Sequence, residues 1–254
     1  MRVEIKLRPI GERPVLPFNY NYEVYRQILD KIALIDEDLA KRIDNSHVGL
    51  FTFSRIMVRN RRLLPETGIQ ILSDTVSLYV SSSFTDVMGA VIEGFMISPG
   101  LKLGDTSFNA DEVKPLKEPN ISRRVLFSTL SPVIVRSVRV SEGRMHIWDL
   151  YPSDDAFQDK LRKVMLLRYK EITGEALSDA SFEINVVKFK PVRILMRDSY
   201  YRGSLMIFEY RGSEELAMFG YENGFGEKTK YGFGMVKILE SKRSSERREP
   251  GQSL

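Results

Sequence analysis

Proton transfer near neutral pH needs a group that titrates there, and this 254-residue chain has only two histidines and no cysteine. Disulfides, thiolate metal sites and cysteine nucleophiles are excluded, and a histidine-rich metal centre lacks its ligands. His47 stands in Asn45-Ser46-His47-Val48-Gly49, a loop directly after a helical stretch. There it is either a general acid or base or an inert surface side chain. His146, in Arg144-Met145-His146-Ile147-Trp148-Asp149, alternates along a strand-like run and reads as structural. Asp154-Asp155 reads as the acid pair of a helix N-terminus rather than as a two-carboxylate nuclease centre. No metal-ligand set or cofactor fingerprint stands out, so the expectation is chemistry without metal or cofactor.

The second group with chemical content is glycine-rich. Gly224-Phe225-Gly226 and Gly232-Phe233-Gly234 flank a five-residue insert carrying Lys228 and Lys230. Glu227 follows Gly226 where a Walker A loop needs Lys, and Thr229 stands where a dinucleotide fingerprint needs its third Gly. Glycines allow backbone N–H groups to converge on an anion, and they let another chain segment approach closely. A plain turn before the last strand is the alternative, and it explains one glycine better than four.

Charge is concentrated as well. The chain carries +4 overall, and the stretch 188–202 holds five cations (Lys188, Lys190, Arg193, Arg197, Arg202) against Asp198. Arg55, Arg59, Arg61 and Arg62 form a second cluster without an acid. Arginine interleaved with Phe and Tyr is the footprint of a phosphate-backbone binder; a solvated surface is the alternative.

These groups must be held by regular elements. Val3, Ile5 and Leu7 alternate as in a half-buried strand over 2–8, and Val24, Ile28, Ile32 and Ile35 follow helical spacing over 22–35. A short helix is expected over 36–43, strands over 51–58 and 69–81, a helix over 84–97 and a closing strand over 108–116. The second half repeats the order. It has a long strand over 125–140, a helix over 154–172 capped by Ser153 and ended by Gly174, and strands over 182–196 and 204–210. A short helix over 213–219 and a last strand over 232–239 complete it. Two β-α-β-β-α-β units give an α+β chain of tandem ferredoxin-like domains. The expected bounds are 1–119 and 120–240, joined near Pro119, with a disordered tail over 241–254. No run approaches the roughly 18 apolar residues that span a bilayer, and the first residues read as neither signal nor transit peptide. A soluble, cytoplasmic protein without a membrane partner is expected.

A Gly-hydrophobic-Gly pair repeated after a short basic insert, closing a tandem ferredoxin-like chain, resembles the CRISPR repeat-processing endoribonucleases. These belong to the larger repeat-associated superfamily of RNA-binding subunits. Phe127-Ser128-Thr129-Leu130-Ser131-Pro132-Val133-Ile134-Val135 and Leu50-Phe51-Thr52-Phe53-Ser54 are further family-like segments, and the resemblance extends over residues 1–240. It implies metal-independent cleavage of precursor CRISPR RNA within each repeat, leaving a 2′,3′-cyclic phosphate and a 5′-hydroxyl. It implies repeat RNA, single-stranded or weakly structured, as the partner, and it allows a homodimer or a place in an effector complex. His47 lies where family members carry their histidine. The archaeal pattern adds a tyrosine from the first helix and a lysine shortly after the histidine. Here Tyr25 and Lys31 are the residues on offer, and no lysine stands between His47 and Phe51. A non-catalytic repeat-binding paralogue is therefore the alternative to an endoribonuclease, followed by a structural subunit of an effector. Arg55, Arg59, Lys188, Lys190, Arg193, Arg197, Arg202, Lys228, Lys230 and the four glycines 224, 226, 232 and 234 are the expected RNA contacts.

Overall fold

The alternating Val3, Ile5 and Leu7 are fully buried, and their strand lies at the centre of the first sheet. A computed structural model describes residues 1–141 and 143–239; the expected tail over 241–254 lies outside the described residues. The first half comprises β1 (Arg2–Ile10), β2 (Val15–Leu16), α1 (Asn21–Ala33), α2 (Glu37–Asn45), β3 (Thr52–Phe53), β4 (Arg61–Leu64), β5 (Gly68–Ile71), β6 (Val76–Ser81), α3 (Thr85–Ile97), β7 (Gly100–Leu103) and β8 (Thr106–Leu116). The second comprises β9 (Arg124–Thr129), β10 (Arg136–Ser141), β11 (Arg144–Asp149), α4 (Phe157–Thr173), β12 (Phe182–Met196), β13 (Ser199–Gly212), α5 (Glu214–Asn223) and β14 (Val236–Ile238), with a 3-10 turn over Thr229–Tyr231.

The main sheets run β3-β6-β1-β8-β7 and β12-β13-β9-β14, antiparallel throughout. Counting only the four strands of each β-α-β-β-α-β unit, both have the spatial order second-third-first-fourth. That order, with two helices packed on one face, is the ferredoxin-like arrangement expected from the sequence. One apolar core joins α1, α2 and α3 to the first sheet, and another joins α4 and α5 to the second. Among the described residues no helix is long and apolar enough to cross a membrane.

Three departures from the expected elements have physical causes. The long strand over 125–140 is broken: β9 ends at Thr129 and β10 begins at Arg136. Pro132 lacks a ladder donor, and Ser131 to Val135 are buried instead of edge-on. β10 and β11 then form a separate two-stranded ribbon. The fourth helix begins at Phe157 without a side-chain cap, because the Asp154 carboxylate accepts from the Tyr151 N–H at 2.7 Å and closes a turn there. β7 and the small β2-β5-β4 sheet were not expected; β7 forms a short hairpin with β8, and β2 adds to the β4–β5 hairpin from about 50 residues earlier in the chain.

The two halves are tied at one end. Arg2 donates to the carbonyls of Val236 (2.8 Å) and Tyr221 (2.5 Å), and the terminal amine pairs with Glu222. The Arg55 N–H reaches Leu130 O at 3.2 Å. Thr52 Oγ1 donates to Phe233 O at 2.9 Å, and Asn21 Nδ2 to Tyr231 O at 3.0 Å. The Gly-rich segment is therefore the seam between the domains.

Candidate nucleic-acid interface

The Gly-rich segment is built as packing, and the two family-like segments explain why. Residues 130–135, the stretch that broke the strand, lie against it: Leu130 N–H donates to Met235 O (2.7 Å), Gly234 N–H to Pro132 O (2.8 Å) and Glu227 N–H to Ile134 O (2.9 Å). Gly226 adopts φ +84, and a Cβ there would lie 2.4 Å from Ile134 O. Gly232, at φ +75, would drive a Cβ to 2.1 Å from the Phe53 ring. Gly224 and Gly234 share the positive φ, and all four are buried. Close approach of other chain segments, not an open cradle of N–H groups, is what these glycines provide here.

Arg168 holds this segment from below. Its guanidinium donates to the carbonyls of Asn223 (2.8 Å), Gly224 (2.7 Å) and Gly226 (3.0 Å), and to Thr229 Oγ1 (2.9 Å). Burial lowers it to about 10 from the usual 12.5. Lys230 carries the order onward. Its ammonium donates to the carbonyls of Asp44 (2.9 Å) and Ser46 (2.8 Å), fixing the loop that carries His47, and burial holds it below the usual lysine value.

His47 is exposed at a cavity of about 440 Å³ formed where four segments meet: the loop after α2, one face of the β10–β11 ribbon, α4 and residues 227–231. Lys160, Val164, Leu167, Arg168 and Glu171 recur at helical spacing, so one stripe of α4 faces this cavity. Arg136 pairs with Glu227 across 2.9 Å. Lys228, in a left-handed conformation at φ 59, is half-buried, and its ammonium is depressed by that burial and by Arg136. A neighbourhood of His47 with Arg136, Lys160, Lys228 and Lys230 can exchange a proton and offset negative charge.

The other two expected partners of His47 are not in this lining. Tyr25 is buried beneath the loop, where its hydroxyl donates to Asp44 Oδ1 at 2.6 Å; burial and that carboxylate raise it far above the usual tyrosine value. Lys31 is buried against α3, donating to Ser98 Oγ at 2.8 Å, and burial lowers it.

The expected contacts on β12 and β13 divide between faces. Lys188 and Lys190 are exposed opposite Ile207 and Leu205. Arg193 stands directly opposite Arg202 on the other face, and its guanidinium lies 4.5 Å from the centre of the exposed Tyr200 ring. Arg197, at the hairpin tip with φ 52, lies over the Tyr22 ring at 4.2 Å and donates to its hydroxyl. The Arg202 N–H reaches Asp149 Oδ2 at 3.2 Å, which joins this hairpin to the ribbon that walls the cavity. Arg55 is half-buried beside Tyr20, and Arg59 is exposed; neither lines the cavity. His146 is exposed on the ribbon. A wider opening of about 630 Å³ beside the turn after β1 brings together Glu12, Arg13 and Asp105, a mixed set without a histidine. Among the described residues no three His, Asp or Glu side chains are grouped so as to hold a metal ion.

Arg136, Lys160 and Arg168 were not among the expected residues. Arg168 left a signal in the sequence: with Leu161 and Met165 it completes an i, i+4, i+7 stripe, a charge within an apolar row.

Residues 15–114 match the family described as CRISPR-associated protein Cas6, N-terminal, and residues 116–238 match CRISPR associated protein Cas6, C-terminal. The chain belongs to the Cas6 family. It is 54% identical over 240 residues to the CRISPR-associated endoribonuclease-like protein Cas6nc of Pyrococcus horikoshii, covering 94% of this chain and 100% of that one. It is 32% identical to the CRISPR-associated endoribonuclease Cas6 1 of Methanocaldococcus jannaschii, covering 95% and 94%. Among solved structures, a Cas6-related protein from Pyrococcus furiosus superposes with a TM-score of 0.91 at 52% identity, covering 94% and 98%. Another, described as an RAMP protein binding different RNA substrates, gives 0.90 at 54%, covering 94% and 100%. The seam that fixes the His47 loop thus belongs to a tandem ferredoxin-like Cas6 protein.

Proposed function

We propose that this Cas6 chain is a cytoplasmic CRISPR repeat RNA-binding protein, with two domains that meet at Pro119 and RNA engaged at the cavity beside His47. The observation that carries the reading is the convergence there of His47 with Arg136, Lys160 and Lys228. The exposed cations of the β12–β13 hairpin extend the contact, joined to the cavity wall through Asp149. The RNA-binding description of the neighbour at 54% identity supports the same partner.

Cleavage, where it occurs, needs no metal in this reading. The ribose 2′-hydroxyl attacks the adjacent phosphorus and the 5′-oxygen leaves, giving a 2′,3′-cyclic phosphate and a 5′-hydroxyl. His47 moves the proton, and Lys228 or Lys160 offsets charge on the phosphoryl oxygens. A second reading, binding without cleavage, is favoured by Tyr25 and Lys31, both buried and committed to Asp44 and Ser98. End-labelled repeat RNA incubated with the protein in EDTA separates the two. Cleavage that falls about 10²–10⁴-fold in His47→Ala, with affinity unchanged, supports catalysis at His47. Tight binding without cleavage establishes the second reading, and cleavage that survives His47→Ala moves the chemistry elsewhere. No binding at all refutes the proposal.

A further inference from the structure

The cavity beside His47 has two chemically different sides, and phosphate binding uses only one. Val138 and Ile147 stand directly opposite each other on one face of the β10–β11 ribbon, 51% and 57% exposed. Across from them on α4 lie Val164 and Leu167, the latter also 57% exposed. These four aliphatic side chains share the cavity with Lys160 and Lys228. Clustered exposed aliphatic surface beside cations marks a surface that something apolar and anionic covers. A nucleotide joins those properties in one unit. The volume of about 440 Å³ lies within the roughly 300–1,000 Å³ of pockets that take one small-molecule-sized group.

We propose that this cavity takes one unstacked nucleotide of the bound RNA, its base between the ribbon and α4 and its phosphate on Lys160 and Lys228. The inference rests on the RNA-binding reading above and adds where a base goes. Splaying a base out of a single strand costs little, and single-stranded RNA is read through such unstacked bases. Glu171, at the same lining, offers a carboxylate to a base amino group. Adenine, cytosine and guanine carry one; uracil does not, and its carbonyls oppose the acid. The pocket therefore discriminates against uracil.

The test is a repeat RNA carrying 2-aminopurine at one position at a time, with anisotropy of an end label read in the same titration. Emission is expected to rise at a single position in the wild type, as the base leaves its stack. Leu167→Glu and Val138→Glu, both at exposed sites on opposite walls, are expected to remove that rise and weaken affinity by about tenfold, through lost apolar contact and a negative charge placed beside the phosphate. Uridine at the marked position is expected to weaken binding similarly. Tight binding with a flat emission profile overturns this inference and leaves the RNA-binding reading standing. So does a rise that survives in both variants. A flat profile accompanied by self-association of the protein assigns the aliphatic face to a second copy. Absence of any anisotropy change refutes RNA binding and, with it, the nucleotide pocket.

Discussion

Arg168→Met tests whether one buried cation holds the domain seam together. The guanidinium makes four hydrogen bonds between 2.7 and 3.0 Å to the Gly-rich segment. Each bond from a charged donor contributes about 1.5 kcal/mol at the low end, so the set is worth about 6 kcal/mol in gross terms. Burial opposes it. Lowering the group from 12.5 to about 10 corresponds to a penalty of roughly 3 kcal/mol at about 1.4 kcal/mol per pH unit. The expected net loss in Arg168→Met is therefore about 3 kcal/mol, with three carbonyls and a hydroxyl left without their donor. For a chain of this size that lowers the melting midpoint by roughly 10 °C. Urea unfolding followed by far-UV circular dichroism reads the loss directly. Arg168→Lys is expected to fall between, since one ammonium cannot span the donors of a planar fork. A loss under about 0.5 kcal/mol in Arg168→Met, or a lysine variant as stable as wild type, refutes the idea that this side chain organises the seam.

Gly226→Ala adds a Cβ 2.4 Å from Ile134 O at φ +84 and is expected to cost about 2–4 kcal/mol of stability; a wild-type melting midpoint with RNA binding abolished would instead assign the glycine to the RNA. Arg193→Ala together with Arg202→Ala removes like charges that stand directly opposite, so the fold is expected to hold or gain slightly. The same double variant is expected to reduce the salt slope of RNA binding by about 0.7 for each phosphate that is no longer neutralised, and an unchanged slope marks the pair as solvated surface. Tyr25→Phe removes the hydrogen bond to Asp44 and is expected to cost about 1 kcal/mol. Because burial and the Asp44 carboxylate keep the Tyr25 phenol protonated at neutral pH, any RNA cleavage rate is expected to stay near wild type. A loss of a hundredfold in a variant that still folds and binds would make Tyr25 a participant.

What could be read from the sequence was whatever a single local period encodes. β12 is found over Phe182–Met196 as expected, and β1, α1 and α3 lie within a few residues of their expected bounds, because each buries one face and its pattern says so. β10 merges with the neighbouring strand in the sequence pattern for the same reason, whereas β11 matches the strand-like run around His146. Val138, Val140, Met145 and Ile147 alternate as a buried face would, yet they are exposed, and alternation alone does not tell what covers a face. Four glycines correctly marked an unusual segment, but the choice between anion cradle and close packing depended on residues 130–135, about 90 positions away in the chain. The cavity is more dispersed still: residues 46–49, the ribbon, α4 and residues 227–231 share no motif. His47 stood out because so few imidazoles are present, whereas Lys160 and Arg136 look like ordinary solvated cations until the fold brings them to it. In this tandem ferredoxin-like protein the candidate cavity lies beside the seam between repeats. The residues that build that seam, Arg168 foremost, act through backbone carbonyls that no side-chain pattern records.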